Sequence, residues 1–124
     1  MTTAKWVWHQ RDGVMTCNGA AYARGYAGRG KGKNNPDMQN VSKTGPLPQG
    51  MYRMAGVKDD PKTGPFTIVL EPLAGNEMFG RSAFRIHGDS VRDPGNASEG
   101  CICISPRSLR AGIYRQGDLV QVVA

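Results

Sequence analysis

The chain has 124 residues, of which 39% are hydrophobic and 21% charged, and 16 Lys and Arg against 10 Asp and Glu leave a net charge of +6. That length gives one domain, residues 1–124, with a core of its own, and no apolar run approaches the length of a membrane-spanning helix. Gly (17) and Pro (8) favour short strands and turns over long helices, and three Cys, an odd number, exclude a fully paired disulfide framework.

Met1 to Trp6 carries a single Lys with no continuous apolar stretch behind it, so no signal peptide is expected and synthesis is expected in the cytoplasm. Trp6 to Gln10 alternates bulky and polar side chains, Arg11-Asp12-Gly13 turns, and Val14 to Cys17 resumes, which predicts a β-hairpin. Asn18-Gly19 marks the next turn. Residues 23–36 carry Arg24, Arg29, Lys31 and Lys33 with no acid, and their glycines exclude a helix. Gly25-x-x-x-x-Gly30-Lys31 begins like a phosphate-binding loop, but Gly32 stands where Ser or Thr is required and no hydrophobic strand leads directly in. A loop packed over a binding cleft is the expectation.

Gly45-Pro46-Leu47-Pro48-Gln49-Gly50 is a stiff turn feeding a strand, Met51 to Val57, followed by a polar turn region from Lys58 to Pro65. Phe66 to Leu70 and Ser82 to His87 read as strands, the latter with Phe84 and Ile86 on one face and Arg85 and His87 on the other. Cys101 to Ile104 alternates again, and as a strand it would put Cys101 and Cys103 on one face. Ser105-Pro106 reads as a helix start, Ser108 to Arg115 as a short basic helix, Gly117-Asp118 as a turn, and Leu119 to Val123 as the last strand.

The chemistry concentrates in Phe84-Arg85-Ile86-His87-Gly88-Asp89-Ser90 and Ala97-Ser98-Glu99-Gly100-Cys101-Ile102. A thiol nucleophile needs a base, and His is the side chain that titrates nearest neutrality. Small residues before Cys101 leave its thiol reachable, and Gly100 is expected to let a substrate backbone come close. Basic charge favours a polyanion, whether nucleic acid, anionic lipid or cell-wall polymer, and it equally serves solubility. Nucleic acid is not the expected partner, because aromatics beyond Tyr22 and Tyr26 are not interleaved with the charges of the basic segment. No metal or other cofactor is expected, because His87, Cys101 and Cys103 find no fourth ligand at a zinc spacing.

His87-Gly88 followed by Ser98-x-Gly100-Cys101-Ile102 resembles the signature of the L,D-transpeptidase catalytic domain. Tyr26-Ala27-Gly28-x-Gly30, Asn34-Asn35-Pro36, Gly45-Pro46-x-Pro48-x-Gly50-x-Tyr52 and the two segments above together resemble the compact type VI secretion L,D-transpeptidase effectors, over residues 5–123. Many cell-wall relatives carry His where Glu99 stands and Arg or Asn where Cys103 stands. The resemblance implies a mostly β, sandwich-like domain with one short C-terminal helix. It implies action on peptidoglycan stem peptides, by an effector that works in the periplasm of a target bacterium with a secretion carrier and a cognate immunity protein. It casts Cys101 as nucleophile, His87 as base and the Gly88 carbonyl as orienter of the ring. Backbone N–H groups at Gly100 and Cys101 are expected to hold the oxyanion, and Ser98 to bond near the thiol. Arg85, Asp89, Tyr26 and Asn35 are expected to contact substrate. The alternatives are a catalytically weak cell-wall-binding module and a phage or mobile-element cell-wall enzyme.

Overall fold

The computed structural model describes residues 4–116 and 118–124; the start of the chain up to Thr3 and the Gly117 half of the expected Gly117-Asp118 turn lie outside the described residues. The strands are β1 (Trp6–His9), β2 (Val14–Cys17), β3 (Ala20–Arg24), β4 (Tyr26–Ala27), β5 (Gly50–Asp60), β6 (Gly64–Pro72), β7 (Arg85–His87), β8 (Ile102–Cys103) and β9 (Leu119–Val123), with helix α1 (Arg107–Gln116) before β9. They form one sheet in the order β3-β2-β1-β9-β5-β6-β7-β8-β4. Its two edge strands, β3 and β4, are separated in sequence by Gly25 alone, so the sheet curls until its edges meet. Gly25 suits that corner because a Cβ there would run into the Cys103 carbonyl. The sandwich-like expectation thus takes the form of a single sheet folded on itself, mostly β with one helix.

The inside of the curl is apolar. Trp6, Trp8, Met15, Leu47, Tyr52, Ile68, Ile86, Ile102, Ile104, Ile113, Val120 and Val122 are all buried. Strand alternation delivers them: Trp6 and Trp8 point inward from β1, and Val120 and Val122 pair beside them on parallel β9. The β1–β2 hairpin turns through Asp12-Gly13, and Gly13 takes φ +64°.

Several elements differ in extent from expectation. β5 and β6 pair along most of their length, from Tyr52↔Pro72 to Asp60↔Gly64, so the polar region between them shrinks to Pro61-Lys62-Thr63. Charged residues such as Lys58 and Asp59 fit a strand here because the distal half of the hairpin has an exposed face. Asp60 caps its tip by accepting from the Lys62 and Thr63 N–H groups. Conversely, the strand expected from Ser82 shortens to Arg85–His87, since Ala83 sits at φ +66°. The strand expected over Cys101 to Ile104 shortens to Ile102–Cys103. The expected Asn18-Gly19 turn leads into β3, and β4 lies within the segment 23–36 that was expected as loop. Ser105 does not cap α1: the helix starts at Arg107, and the Ser105 hydroxyl accepts instead from the Asp89 N–H at 2.9 Å.

Candidate active site

The parallel β7–β8 pairing creates the site. Its register sets Ile86 against Ile102 and His87 against Cys103. Residues paired across neighbouring strands face the same way, so His87 and Cys103 share a face of the sheet, and Cys101 lies just before β8. Cys103 packs on the imidazole, its Sγ 3.7 Å from Nδ1 and 3.9 Å from Nε2 of His87. His87 Nδ1 lies 2.8 Å from the Gly88 carbonyl oxygen. A carbonyl only accepts, so Nδ1 carries the proton and Nε2 is left as the basic nitrogen. Burial pushes the imidazole pKa below its ordinary value of 6.5; the Gly88 carbonyl opposes this, and the charges of Arg110 and Arg85 reinforce it. His87 is therefore neutral at pH 7.

Cys101 stands at the end of a turn held from inside. Ser98, buried, donates through Oγ to the Cys101 carbonyl at 2.6 Å. The same oxygen accepts from the N–H groups of Gly28 at 2.9 Å and Gly100 at 3.0 Å. Ser98 thus grips the backbone of the turn before Cys101, and among the described residues it makes no hydrogen bond to the thiol. Two expectations for Gly100 change with this. Its N–H is engaged by Ser98, and the glycine is buried at φ +141°, where a Cβ would lie 2.7 Å from Arg81 Nη2 and 2.8 Å from the Phe84 ring. Glycine here makes room for the protein's own side chains rather than for substrate. Burial pushes the Cys101 thiol above its ordinary pKa, opposed by the Arg85 N–H and the charges of Arg85 and Arg81, with Glu99 pushing it further up. Burial likewise pushes the Cys103 thiol up, to about 12, which keeps it protonated at neutral pH.

His87 and Cys101 line one open pocket of about 270 Å³ together with Arg29, Lys62, Ala97 and Glu99. Among the described residues no hydrogen bond joins the sulfur to the imidazole; Cys101 Sγ lies 3.9 Å from the Ala83 carbonyl oxygen. On the Cys101 side the pocket continues into a second of about 400 Å³ bordered by Lys43, Arg81 and Arg85. On the His87 side it continues into a third of about 440 Å³ bordered by Asp89, Arg107 and Arg110. Lys62, at the tip of the β5–β6 hairpin, borders all three, so the groove runs beneath that tip. Its walls are predominantly cationic.

Of the remaining expected residues, Arg85 borders the groove beside Cys101 and lies 3.8 Å from Asp60. Asp89 and Tyr26 are occupied with each other. Tyr26 Oη donates to Asp89 Oδ1 at 2.5 Å and accepts from the Ala97 N–H at 2.8 Å. Burial opposes ionisation of Asp89, but the Tyr26 hydroxyl and the Gly95 and Ser90 N–H groups outweigh it and hold the carboxyl below its usual range. This pair ties down the loop between His87 and Cys101. Asn35 lies outside the groove: its Oδ1 accepts from the Asp37 N–H, and its amide donates to the Lys31 carbonyl. The basic loop does reach the cleft, through Arg29.

Sequence reasoning missed Arg81, Arg110 and Lys62. Arginine is usually solvated, so nothing in the pattern marks two of them as buried. Arg110, on α1, is 3% exposed and donates to the carbonyls of Phe66, Ile104 and Pro65. It lies directly behind Gly88, where a Cβ would come 3.0 Å from its Nη1.

The sequence model of the Tlde1 domain matches residues 21–121. Among solved structures the fold is similar to an L,D-transpeptidase from Mycobacterium smegmatis, with 18% sequence identity and a TM-score of 0.52. That superposition covers 98% of this chain and 59% of the other, so the chain spans less than two thirds of that protein's length. Likeness at this level of identity shows the fold alone. No curated protein matches the chain.

Proposed function

This chain belongs to the Tlde1 domain family, the type VI L,D-transpeptidase-like effectors its motifs resemble, and on that premise we propose that it is a cysteine enzyme acting on peptidoglycan. Its bond is the one joining the diamino acid at position three of a tetrapeptide stem to the terminal D-alanine. The observation that carries this reading is the shared pocket. Cys101 and His87 border one cationic groove, with the imidazole fixed by Gly88 in the tautomer a general base requires.

Both groups are neutral at rest, since burial raises the thiol and lowers the imidazole. The thiol is therefore activated during the reaction rather than stored as a thiolate. His87 Nε2 takes the thiol proton as sulfur bonds to the carbonyl carbon. The oxyanion is held by the Cys101 N–H, the Gly100 N–H being engaged by Ser98. Collapse breaks the C–N bond, and Nε2 returns its proton to the leaving D-alanine amine. The product is a thioester on Cys101. Water then attacks the thioester carbon, giving up a proton to Nε2; the C–S bond breaks, Nε2 returns that proton to the sulfur, and the new tripeptide acid ionises to solvent as a carboxylate. A D-amino acid or the side-chain amine of a second stem gives exchange or cross-linking from the same intermediate. Arg85, Lys62, Lys43 and Arg29 meet the carboxylates that such stems carry. The site of action is the periplasm of a target bacterium, with a carrier and an immunity protein as partners.

The test is incubation with purified muropeptides, wild type beside Cys101→Ala. Tetrapeptide stems shortened to tripeptides by the wild type alone support the proposal. Unchanged muropeptides, with both proteins still pelleting with sacculi, overturn it in favour of a binding module.

A further inference from the structure

The guanidinium of Arg81, a residue 9% exposed, is almost wholly buried and pairs with no acid among the described residues. Its partners are four backbone carbonyls. Nη1 donates to Gln39 at 2.6 Å and Pro46 at 2.8 Å, and Nη2 donates to Gly45 at 3.0 Å and Glu99 at 3.2 Å. The Phe84 ring stacks against it with the guanidinium carbon 5.1 Å from the ring centre.

These contacts join two separate segments at the nucleophile. Gly45 and Pro46 belong to the stiff turn before β5, and Glu99 is two residues before Cys101. The Leu47 N–H reinforces the junction by donating to the Gly100 carbonyl at 2.9 Å. Arg81 also borders the groove beside Cys101. A fork that satisfies four carbonyls fixes the turn, and because those carbonyls carry no net charge, its positive charge stays uncompensated next to the sulfur.

We propose that Arg81 is a positioning residue for Cys101, locking the nucleophile turn through four carbonyls while its unpaired charge favours the thiolate that forms on proton transfer. The inference rests on Cys101 being the nucleophile. The other charged or titratable groups around that sulfur are Arg85 from β7, Glu99 from its own turn, Cys103 from β8, His87, Arg29 from the basic loop, Lys43 and Lys62. The Arg81 charge acts on the thiol in the direction proposed, lowering its pKa against burial.

The test is alkylation of the full chain by iodoacetamide, read by mass on the Cys101 peptide from about pH 7 to about pH 10. It needs no peptidoglycan. Arg81→Met is expected to slow Cys101 alkylation about tenfold at pH 8 and displace its profile to higher pH, because rate follows thiolate fraction. Arg81→Lys, keeping the charge, is expected to restore most of the rate. An Arg81→Met rate equal to wild type overturns the proposal, as does an Arg81→Lys rate as slow as Arg81→Met. If Arg81→Met does not fold, Arg81→Gln serves as the neutral variant under the same criteria. Loss of the enzyme reading itself shows separately, as wild-type protein that leaves muropeptides unchanged while these alkylation rates still differ.

Discussion

Cys101 and His87 face one pocket but are held by different means. His87 ends a strand, so the β7–β8 ladder sets its backbone, and one carbonyl suffices to orient its ring. Cys101 ends a turn without a ladder of its own, so side chains must do that work: Ser98 from within and Arg81 from behind. Each half is backed by a buried arginine that bonds only to carbonyls, Arg81 behind the thiol and Arg110 behind Gly88. The contrast teaches a division of labour. On the strand side the ladder already fixes the backbone of His87, so the arginine adds its bonds to the Pro65, Phe66 and Ile104 carbonyls and a charge that lowers the imidazole pKa. On the turn side it must supply geometry as well.

Substituting the two reacting groups gives the largest effects. Cys101→Ala is expected to lower tripeptide formation by at least about a thousandfold, since no thioester can form. His87→Gln is expected to cost about 10²–10⁴-fold while leaving binding to sacculi intact. Turnover measured on tetrapeptide muropeptides checks both. A His87→Gln variant near wild-type rate would break the pairing of the two halves.

Ser98→Ala sharpens the turn side. It strands the buried Gly28 and Gly100 N–H groups and is expected to cost about 3 kcal/mol of stability in urea unfolding. The remaining folded enzyme should lose turnover rather than binding. A loss under about 0.5 kcal/mol would mean the turn holds itself without the Ser98 bonds.

The smallest effects are on pH dependence. His87 must be neutral to accept the thiol proton, and burial depresses its pKa, so the acidic limb of kcat/KM is expected below pH 6.5. Arg110 depresses it further, so Arg110→Met should raise the imidazole pKa and move that limb toward higher pH. A limb that stays put while stability falls would make Arg110 purely structural, and the two arginines would then differ in kind.

Much of this was legible in the residues. Alternation placed β1, β2 and β9, turn chemistry placed the hairpin at Asp12-Gly13, and small residues around a Cys and a His marked the pair proposed to react. The surroundings of Gly100 are not legible there, because a glycine that admits a substrate and one that admits an arginine look the same in sequence. Nor is the Asp89–Tyr26 bond, because polar residues beside a catalytic candidate carry no sign of whom they bond. The same holds for Asn35, whose amide serves the local backbone.

What the sequence determined by itself was local: strand periodicity, turn types and the chemical identity of a thiol and an imidazole. Those follow from near neighbours along the chain. The register that sets His87 against Cys103, the closing of the sheet at Gly25 and the burial of Arg81 and Arg110 were decided only in three dimensions. Each depends on contacts between residues far apart in sequence, and on which side of a curled sheet remains dry.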